Sequence, residues 1–357
     1  MIRIGLVGCG HIGAVHAYAI DQLTKAGLVD ARLVATYDID GGRAARMAER
    51  YGGAAVPSLG ALVDAVDVVW VCTWTAAHLE AVECAAGAGR AVFCEKPLAP
   101  DYATCERVAA ALERVPHQVG LVLRHAPVFA RAAEIIQSRA YGAPLATTLR
   151  DDQYFPIQGF YGSTWRKDVV AAGGGTLIEH SIHDIDVLRW LLGDPMSLTG
   201  RSASRFGHAG IDDTVGVTLS YADGSVAQLT SVWHQILSRE SSRRLEVFCE
   251  EAFVWTDDDY LGPLHVQTST GVEVFEGGRP DWAARFQVPG KYANGLAAYA
   301  TPTKAFLDAL TAAGRAAIGH PGAAEALAAH LLVDRAYRSA AAGGTPERLA
   351  PADDAGG

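Results

Sequence analysis

From residue 2 to residue 123 the chain alternates short apolar runs with amphipathic stretches. Ile2–Val7, Ala31–Tyr37, 66–72, Ala91–Cys94 and 118–123 are runs of four to seven mainly apolar residues, the pattern of parallel strands covered on both faces. Between them, 12–25, 42–51, 78–88 and 102–113 carry helical spacing. Strict strand–helix alternation predicts a doubly wound parallel sheet, because right-handed crossovers place helices on both faces.

After Arg124 the pattern changes. Pro127–Ser138 reads as helix and 145–153 as extended chain. Gly173-Gly174-Gly175 leads into a helix predicted over 176–192 and stopped by Gly193-Asp194-Pro195. Extended segments follow at 214–221, 225–233, 244–249, 252–255, 264–269 and 272–275, the first two joined by the hairpin signal Ala222-Asp223-Gly224. Consecutive strands without helices between them predict an α+β domain with a large, mostly antiparallel open sheet. Two alanine-rich helices, 302–313 and Ala323–Ala341, close the chain, and 350–357 is expected to fray. The expected division is a first domain at 1–123, a second at 124–345 and a flexible tail at 346–357. Val215, Val217 and Leu219 alternate along one strand, so an apolar sheet face is expected to need a partner subunit, giving a homodimer or homotetramer.

At 357 residues the chain exceeds one ordinary core, which agrees with two domains. Forty acidic against thirty basic residues give a formal charge of -10. With no basic run, nucleic acid and anionic membranes are disfavoured, and the substrate is expected to be small. No segment offers the ~18 apolar residues of a membrane span, and Met1-Ile2-Arg3-Ile4 enters the first strand directly, so a cytoplasmic location is expected. The six cysteines lack paired metal spacing and read as buried thiols in a reducing compartment.

The chemistry is concentrated in three places. The first is Gly8-Cys9-Gly10-His11-Ile12-Gly13, a GxGxxG that follows a strand, opens a helix and is answered by Asp38 at the end of the next strand. In that setting it predicts dinucleotide binding: Gly8 makes the tight turn, Gly10 admits the pyrophosphate and Gly13 lets the helix pack closely. Asp38 would accept the ribose hydroxyls and repel a 2′-phosphate, favouring NAD over NADP; alternatively it only caps a turn, with Arg43 near enough to meet a phosphate. Thr73 and Trp74, at the carboxyl end of the third apolar run, are expected to face the dinucleotide. His78, just beyond, is either part of that site or a solvated helix residue.

The second is Glu95-Lys96-Pro97 at the end of the fourth run, where no core requires a charge. Lys96 there could hydrogen-bond a substrate oxygen and stabilise alkoxide character; a surface ion pair is the alternative. The third is the helix expected from Thr176. It would place Glu179 and His183 on one face, one turn apart, near Asp186, with His180 and Asp184 on the neighbouring face. Histidine is the usual general base for an alcohol proton and a carboxylate can orient it. A core histidine is the competing reading. A metal site of Glu179, His180, His183 and Asp184 lacks the ring geometry and any supporting cysteine, so no metal is expected.

Together, in this order, the three motifs resemble the Gfo/Idh/MocA oxidoreductase family of inositol and sugar dehydrogenases, and the resemblance extends through Trp165-Arg166-Lys167-Asp168 to the terminal helices. The resemblance implies an N-terminal Rossmann domain, a C-terminal domain whose open sheet mediates dimers or tetramers, and an NAD-dependent dehydrogenase of a polyhydroxylated substrate. It also implies roles by position. Lys96 matches a lysine that contacts both nicotinamide and substrate, and His183 matches the proton acceptor. Glu179 stands where many members have aspartate. Trp165 and Arg166 match a pair beside the nicotinamide, and Arg124 lines the cleft. The substrate-binding set is then Lys96, Arg124, Glu179, His180 and His183. Trp74, in place of a usual proline, and the longer Glu179 depart from the pattern. A regulatory ligand sensor without turnover, or an enzyme recycling bound NAD during epimerisation or elimination, remain alternatives.

Overall fold

The computed structural model describes residues 1–286, 288, 290–313 and 319–349, and the fraying expected at 350–357 lies outside them. The chain divides into two compact units, Met1–His125 with Arg279–Leu327, and Ala126–Gly278 with the chain from Ala328.

The first unit contains β1 (Ile2–Val7), α1 (His11–Lys25), β2 (Ala31–Tyr37), α2 (Gly41–Tyr51), β3 (Ala54–Ala55), α3 (Leu59–Ala65), β4 (Val68–Val71), α4 (His78–Gly87), β5 (Ala91–Cys94), α5 (Tyr102–Leu112) and β6 (His117–Val119). The six strands are all parallel, in the order β3-β2-β1-β4-β5-β6. This is the strand order of the doubly wound dinucleotide-binding sheet. β4 and β5 are buried along their whole length, with Trp70 stacked 5.1 Å from Phe93 across them. The short exposed β3 and the seven-residue α3 carry too little periodicity to be predicted. The run at 118–123 is only in part a strand: pairing ends at Val119, and Val122–His125 forms a 3-10 turn. Leu121, Val122 and Leu123 are nonetheless buried, so their apolar character reports burial and not extension.

The second unit contains α6 (Pro127–Ser138), β7 (Pro144–Tyr154), α7 (Val169–Ala172), α8 (Thr176–Glu179), α9 (Ile182–Leu192), β8 (Ser197–Ala203), β9 (Thr214–Ser220), β10 (Val226–His234), β11 (Ser242–Cys249), β12 (Phe253–Thr256), β13 (Leu264–Thr268) and β14 (Gly271–Phe275). After α10 (Gly290–Ala313) and α11 (Ala323–Ala341), β15 (Glu347–Arg348) completes a nine-stranded sheet ordered β14-β13-β12-β11-β7-β10-β9-β8-β15. Only the β7–β10 pairing is parallel. Strand β8 escaped prediction because Ser197-Leu198-Thr199-Gly200-Arg201 has little apolar alternation. Gly200 serves instead as a seat for α11, whose Ala336 carbonyl oxygen would stand 2.3 Å from any Cβ there.

Two expectations need correction. Val215, Val217 and Leu219 are buried within the chain itself, because α8 and α11 lie on that face of the sheet; they are not available to a partner subunit. The opposite face is the open one. It carries Phe248, 52% exposed, in a stack that runs through Phe253 and Trp255 to His265 with ring centroids 4.4, 4.9 and 4.7 Å apart. The second correction concerns 279–327, placed by sequence with the second domain. In α10, which begins well before Pro302, Leu296, Ala297 and Ala300 pack on Ala19 and Leu23 of α1. Phe306 and Leu307 join the core of Trp70 and Phe93, so this segment belongs to the first unit.

Candidate active site

In the first unit the glycine fingerprint forms the turn from β1 into α1. Gly8 has φ +90°, and a Cβ on it would stand 2.6 Å from the Cys72 carbonyl carbon. At Gly13 a Cβ would stand 2.1 Å from the Gly8 carbonyl oxygen. Both positions therefore require glycine for packing. Gly10 differs: nothing lies within 4 Å of a Cβ there, so its freedom serves space and not the fold. That open space lies at the N-terminus of α1, where no side chain caps the helix and the positive end of the helix dipole favours an anion. His11 and Ile12 form the first turn of α1.

Asp38 closes one side of this turn. Its Oδ2 accepts the Cys9 N–H at 2.7 Å and its Oδ1 the Asp40 N–H at 2.9 Å. It therefore does cap a turn, yet each carboxylate oxygen retains a second lone pair for a ribose hydroxyl. Arg43 reaches Asp40, at 3.4 Å. At the end of β4, Thr73 Oγ1 is buried and makes no hydrogen bond among the described residues, and Trp74 beside it is partly exposed. An orphaned hydroxyl, an uncapped helix start and an open glycine all fit a bound dinucleotide.

His78 is not a solvated residue. It is buried, with Nδ1 2.8 Å from the Pro97 carbonyl oxygen and Nε2 3.3 Å from that of Thr73, so its ring bridges the turns after β4 and β5. Glu95 is buried too, and its partner was not foreseen: Oε1 lies 2.7 Å from His16 Nε2 on α1, while Oε2 accepts the Lys96 N–H at 3.1 Å. Burial pushes the Glu95 carboxyl up, but the His16 bond and the charge of Lys96 outweigh it and hold it below its ordinary value. His16 shares a helix face with Gly13 and Ile20, the only signal that could have marked it. Lys96 stands partly exposed immediately after Glu95. Arg124 lies in the turn after β6, its Nη1 3.4 Å from His320 Nε2.

In the second unit, the helix predicted over 176–192 is two helices. His180 leaves helical geometry at φ −121°, ψ −63°. Ser181 supplies the reason. Its Oγ donates to Asp151 Oδ2 at 2.8 Å and lies 2.6 Å from Ser231 Oγ, which is 2.7 Å from Thr176 Oγ1. This buried side-chain chain competes with the helix ladder. Glu179 thus ends α8 and His183 lies in the first turn of α9, so they do not share one continuous helix face.

The lead into α8 is held from outside. Asp212 accepts the Gly175 and Leu177 N–H groups at 2.7 and 3.0 Å and the Tyr337 hydroxyl at 2.8 Å, and a Cβ on Gly175 would overlap the Asp212 backbone. Glu179 is buried, and its Oε2 accepts from Arg166 Nε at 3.0 Å. The Arg166 guanidinium in turn lies 4.5 Å over the Trp165 ring. Trp165, Arg166 and Glu179, separate candidates in sequence, are therefore one cluster. His183 and Asp186 are buried on α9. Arg243 of β11, unremarked in the sequence, donates to Asp184 Oδ1 at 2.7 Å and lies close to Asp151, Asp259 and His180.

A parallel sheet with a glycine turn, an acidic residue closing it and a lysine at a strand end define a nicotinamide-dependent oxidoreductase. The comparisons agree. Residues 2–122 match the "Oxidoreductase family, NAD-binding Rossmann fold", and residues 129–254 match the "GFO/IDH/MocA C-terminal domain". Inositol 2-dehydrogenase of Rhizobium meliloti is 31% identical, the match covering 95% of this chain and 97% of that protein. Myo-inositol 2-dehydrogenase of Thermotoga maritima is 28% identical over 72% of this chain and 75% of its own. In fold, the chain is similar to levoglucosan dehydrogenase solved with NADH and levoglucosan, at a TM-score of 0.86 and 21% identity, covering 98% of this chain and 99% of that one. This protein belongs to the Gfo/Idh/MocA family of NAD-binding oxidoreductases. Among the described residues no helix is long and apolar enough to cross a membrane.

Proposed function

We propose that the protein is an NAD-dependent dehydrogenase of a cyclic polyol or sugar hydroxyl, an inositol being the first substrate to try. The observation that carries this reading is the buried Glu179, held by Arg166, beside the break that separates it from His183. A carboxylate fixed in this way suits a vicinal hydroxyl, and the end-to-end likeness to an inositol 2-dehydrogenase favours that substrate class.

Gly8, Gly10, His11, Ile12 and Gly13 bind the pyrophosphate through the α1 N-terminus, and Asp38 binds the adenosine ribose. Thr73, Trp74, His78, Glu95, Trp165 and Arg166 shape the nicotinamide region. NAD, once bound, supplies the hydride acceptor. His183 accepts the hydroxyl proton, Lys96 stabilises developing negative charge, and Glu179 binds a neighbouring hydroxyl or orients His183. Arg124 and His180 complete the substrate surroundings. Glu95, kept ionised by His16, fixes the backbone at Lys96 through its bond to the Lys96 N–H.

The working protein is a cytoplasmic homodimer or homotetramer, associated through the open sheet face around Phe248 and Trp255. Burying that face removes an aromatic patch from water. The test is absorbance of reduced nicotinamide while inositols, hexoses, anhydrosugars and sugar acids are screened with NAD and NADP. Reduction of NAD by a polyol, with NADP poorer and Asp38→Ser narrowing the gap, supports the reading. A preference for NADP, or silence across all polyols, refutes it.

A further inference from the structure

The chain places a permanently charged donor against His180, the first histidine of the His180/His183 pair. Arg243 is buried, and its guanidinium serves two sides of the helix break at once: Nη2 lies 3.2 Å from His180 Nε2, at the end of α8, and Nε donates to Asp184 Oδ1 at 2.7 Å, on α9. On the other side of the imidazole, His180 Nδ1 lies 2.9 Å from Asp151 Oδ2. Arginine has only donors and does not lose its proton in proteins. A ring nitrogen facing it must therefore be the acceptor, so Nε2 carries no hydrogen and the proton of a neutral ring sits on Nδ1, toward the Asp151 carboxylate.

Resting on the reading of His183 as proton acceptor, we infer that Arg243 is a positioning residue: it staples α8 to α9 across the break and locks His180 as a neutral Nδ1–H tautomer, leaving His183 as the one histidine of the pair that accepts a substrate proton. This moves His180 from the substrate-binding set to the scaffold. Its role is then to hold the carboxyl end of α8, and with it Glu179, in fixed relation to the start of α9. The groups facing the imidazole from the elements around it are Asp151 on β7, Arg243 on β11 and Asp184 on α9, with Asp259 and Tyr260 beyond the guanidinium. Burial would lower the guanidinium's proton affinity, but Asp151, Asp184 and Asp259 more than offset it. The guanidinium therefore remains a donor toward Nε2 throughout the working pH range.

The direct test is nitrogen spectroscopy, under magic-angle spinning, of the full chain labelled at histidine, with His180→Gln supplying the assignment. His180 should show a protonated Nδ1 and a bare Nε2 throughout about pH 5.5 to 8.5, a span in which an ordinary histidine titrates. An Nε2–H tautomer, or conversion to imidazolium inside that span, would overturn the inference. The second arm is Arg243→Lys, which keeps the charge but cannot bond His180 and Asp184 together. Turnover should fall roughly tenfold to a hundredfold, as for a misplaced catalytic group, while NAD affinity changes by less than about twofold, since uniform binding is untouched. A folded Arg243→Lys enzyme with near-parental turnover would also overturn it. If that variant does not fold, the ring-nitrogen spectra of the unaltered chain decide alone. They decide equally if no polyol is oxidised, so failure of the proposed function remains distinguishable from failure of this one.

Discussion

Asp184→Asn should change how stability depends on pH, and the direction can be worked out from the site. Asp184 is fully buried; desolvation drives its carboxyl up, Arg243 pulls it down, Asp151 raises it again, and the balance stands at about 7. Burial raises the Asp151 carboxyl as well, and two buried carboxylates in one site oppose each other's ionisation. In the unfolded chain Asp184 titrates near 4, like any aspartate. Between about pH 4 and 7 the folded state therefore binds more protons than the unfolded state, and stability falls as pH rises, by up to about 1.4 kcal/mol per pH unit for one proton. Over the whole shift of about three units this is about 4 kcal/mol, an upper bound that structural relaxation reduces. Asparagine keeps the shape, can accept from Arg243 and can donate to Asp151, but carries no charge to desolvate. The stability of Asp184→Asn should be close to the parent's at pH 5 and should decline less toward pH 8. Glu95 does not confound the comparison. Its carboxyl is held low, so its contribution is present above the ordinary glutamate range and is lost only as pH falls below it. Urea unfolding of both proteins at pH 5, 6, 7 and 8 measures the difference; parallel pH slopes would show that Asp184 is ionised in the fold and that the argument is wrong.

Gly13→Ala and Gly10→Ala should separate packing from ligand space. The first drives a Cβ to 2.1 Å from the Gly8 carbonyl oxygen and should destabilise the first unit, by roughly the 1–3 kcal/mol of an overpacked site or more; the second meets open space and should leave the melting temperature nearly unchanged while weakening NAD in a calorimetric titration. Lys96→Met and His183→Ala should each lower turnover roughly a hundredfold or more, as lost oxyanion or acid–base groups do, with NAD binding largely retained. His183→Ala should also flatten the acidic limb of the pH–rate profile, because a protonated imidazole cannot accept a proton; near-normal turnover with an unchanged profile would make His183 a packing residue. Phe248→Asp, at one end of the open aromatic stack, should shift the mass seen by light scattering toward the monomer without changing the far-ultraviolet circular dichroism, and an unchanged oligomer would place the interface elsewhere.

The first unit was largely legible in the sequence because its determinants are local. A parallel strand buried on both faces must be apolar throughout, as Val68–Val71 and Ala91–Cys94 are, and a phosphate-binding turn needs glycines at fixed spacing, as at Gly8, Gly10 and Gly13. The alternation of the second sheet was legible for the same reason, but not the choice of covered face: Val215, Val217 and Leu219 show that one face is apolar, and the helices packed on it, α8 and α11 among them, decide that it is buried inside the chain. The placement of α10 against α1 likewise depends on small residues more than 250 positions apart, Ala19 and Ala300 among them, whose spacing carries no trace of one another. The same holds at the site. Lys96, Glu179 and His183 stand out as polar residues where no core requires them, so sequence could nominate them. Their supports, His16 for Glu95, Arg166 for Glu179 and Arg243 for His180 and Asp184, lie on other elements. The helix break at Ser181 arises from hydrogen bonds to Asp151 and Ser231, 30 and 50 positions away. Periodicity records which side of an element faces inward; which charge meets which is decided only when the sheet has closed over it and low dielectric makes each unpaired polar group costly.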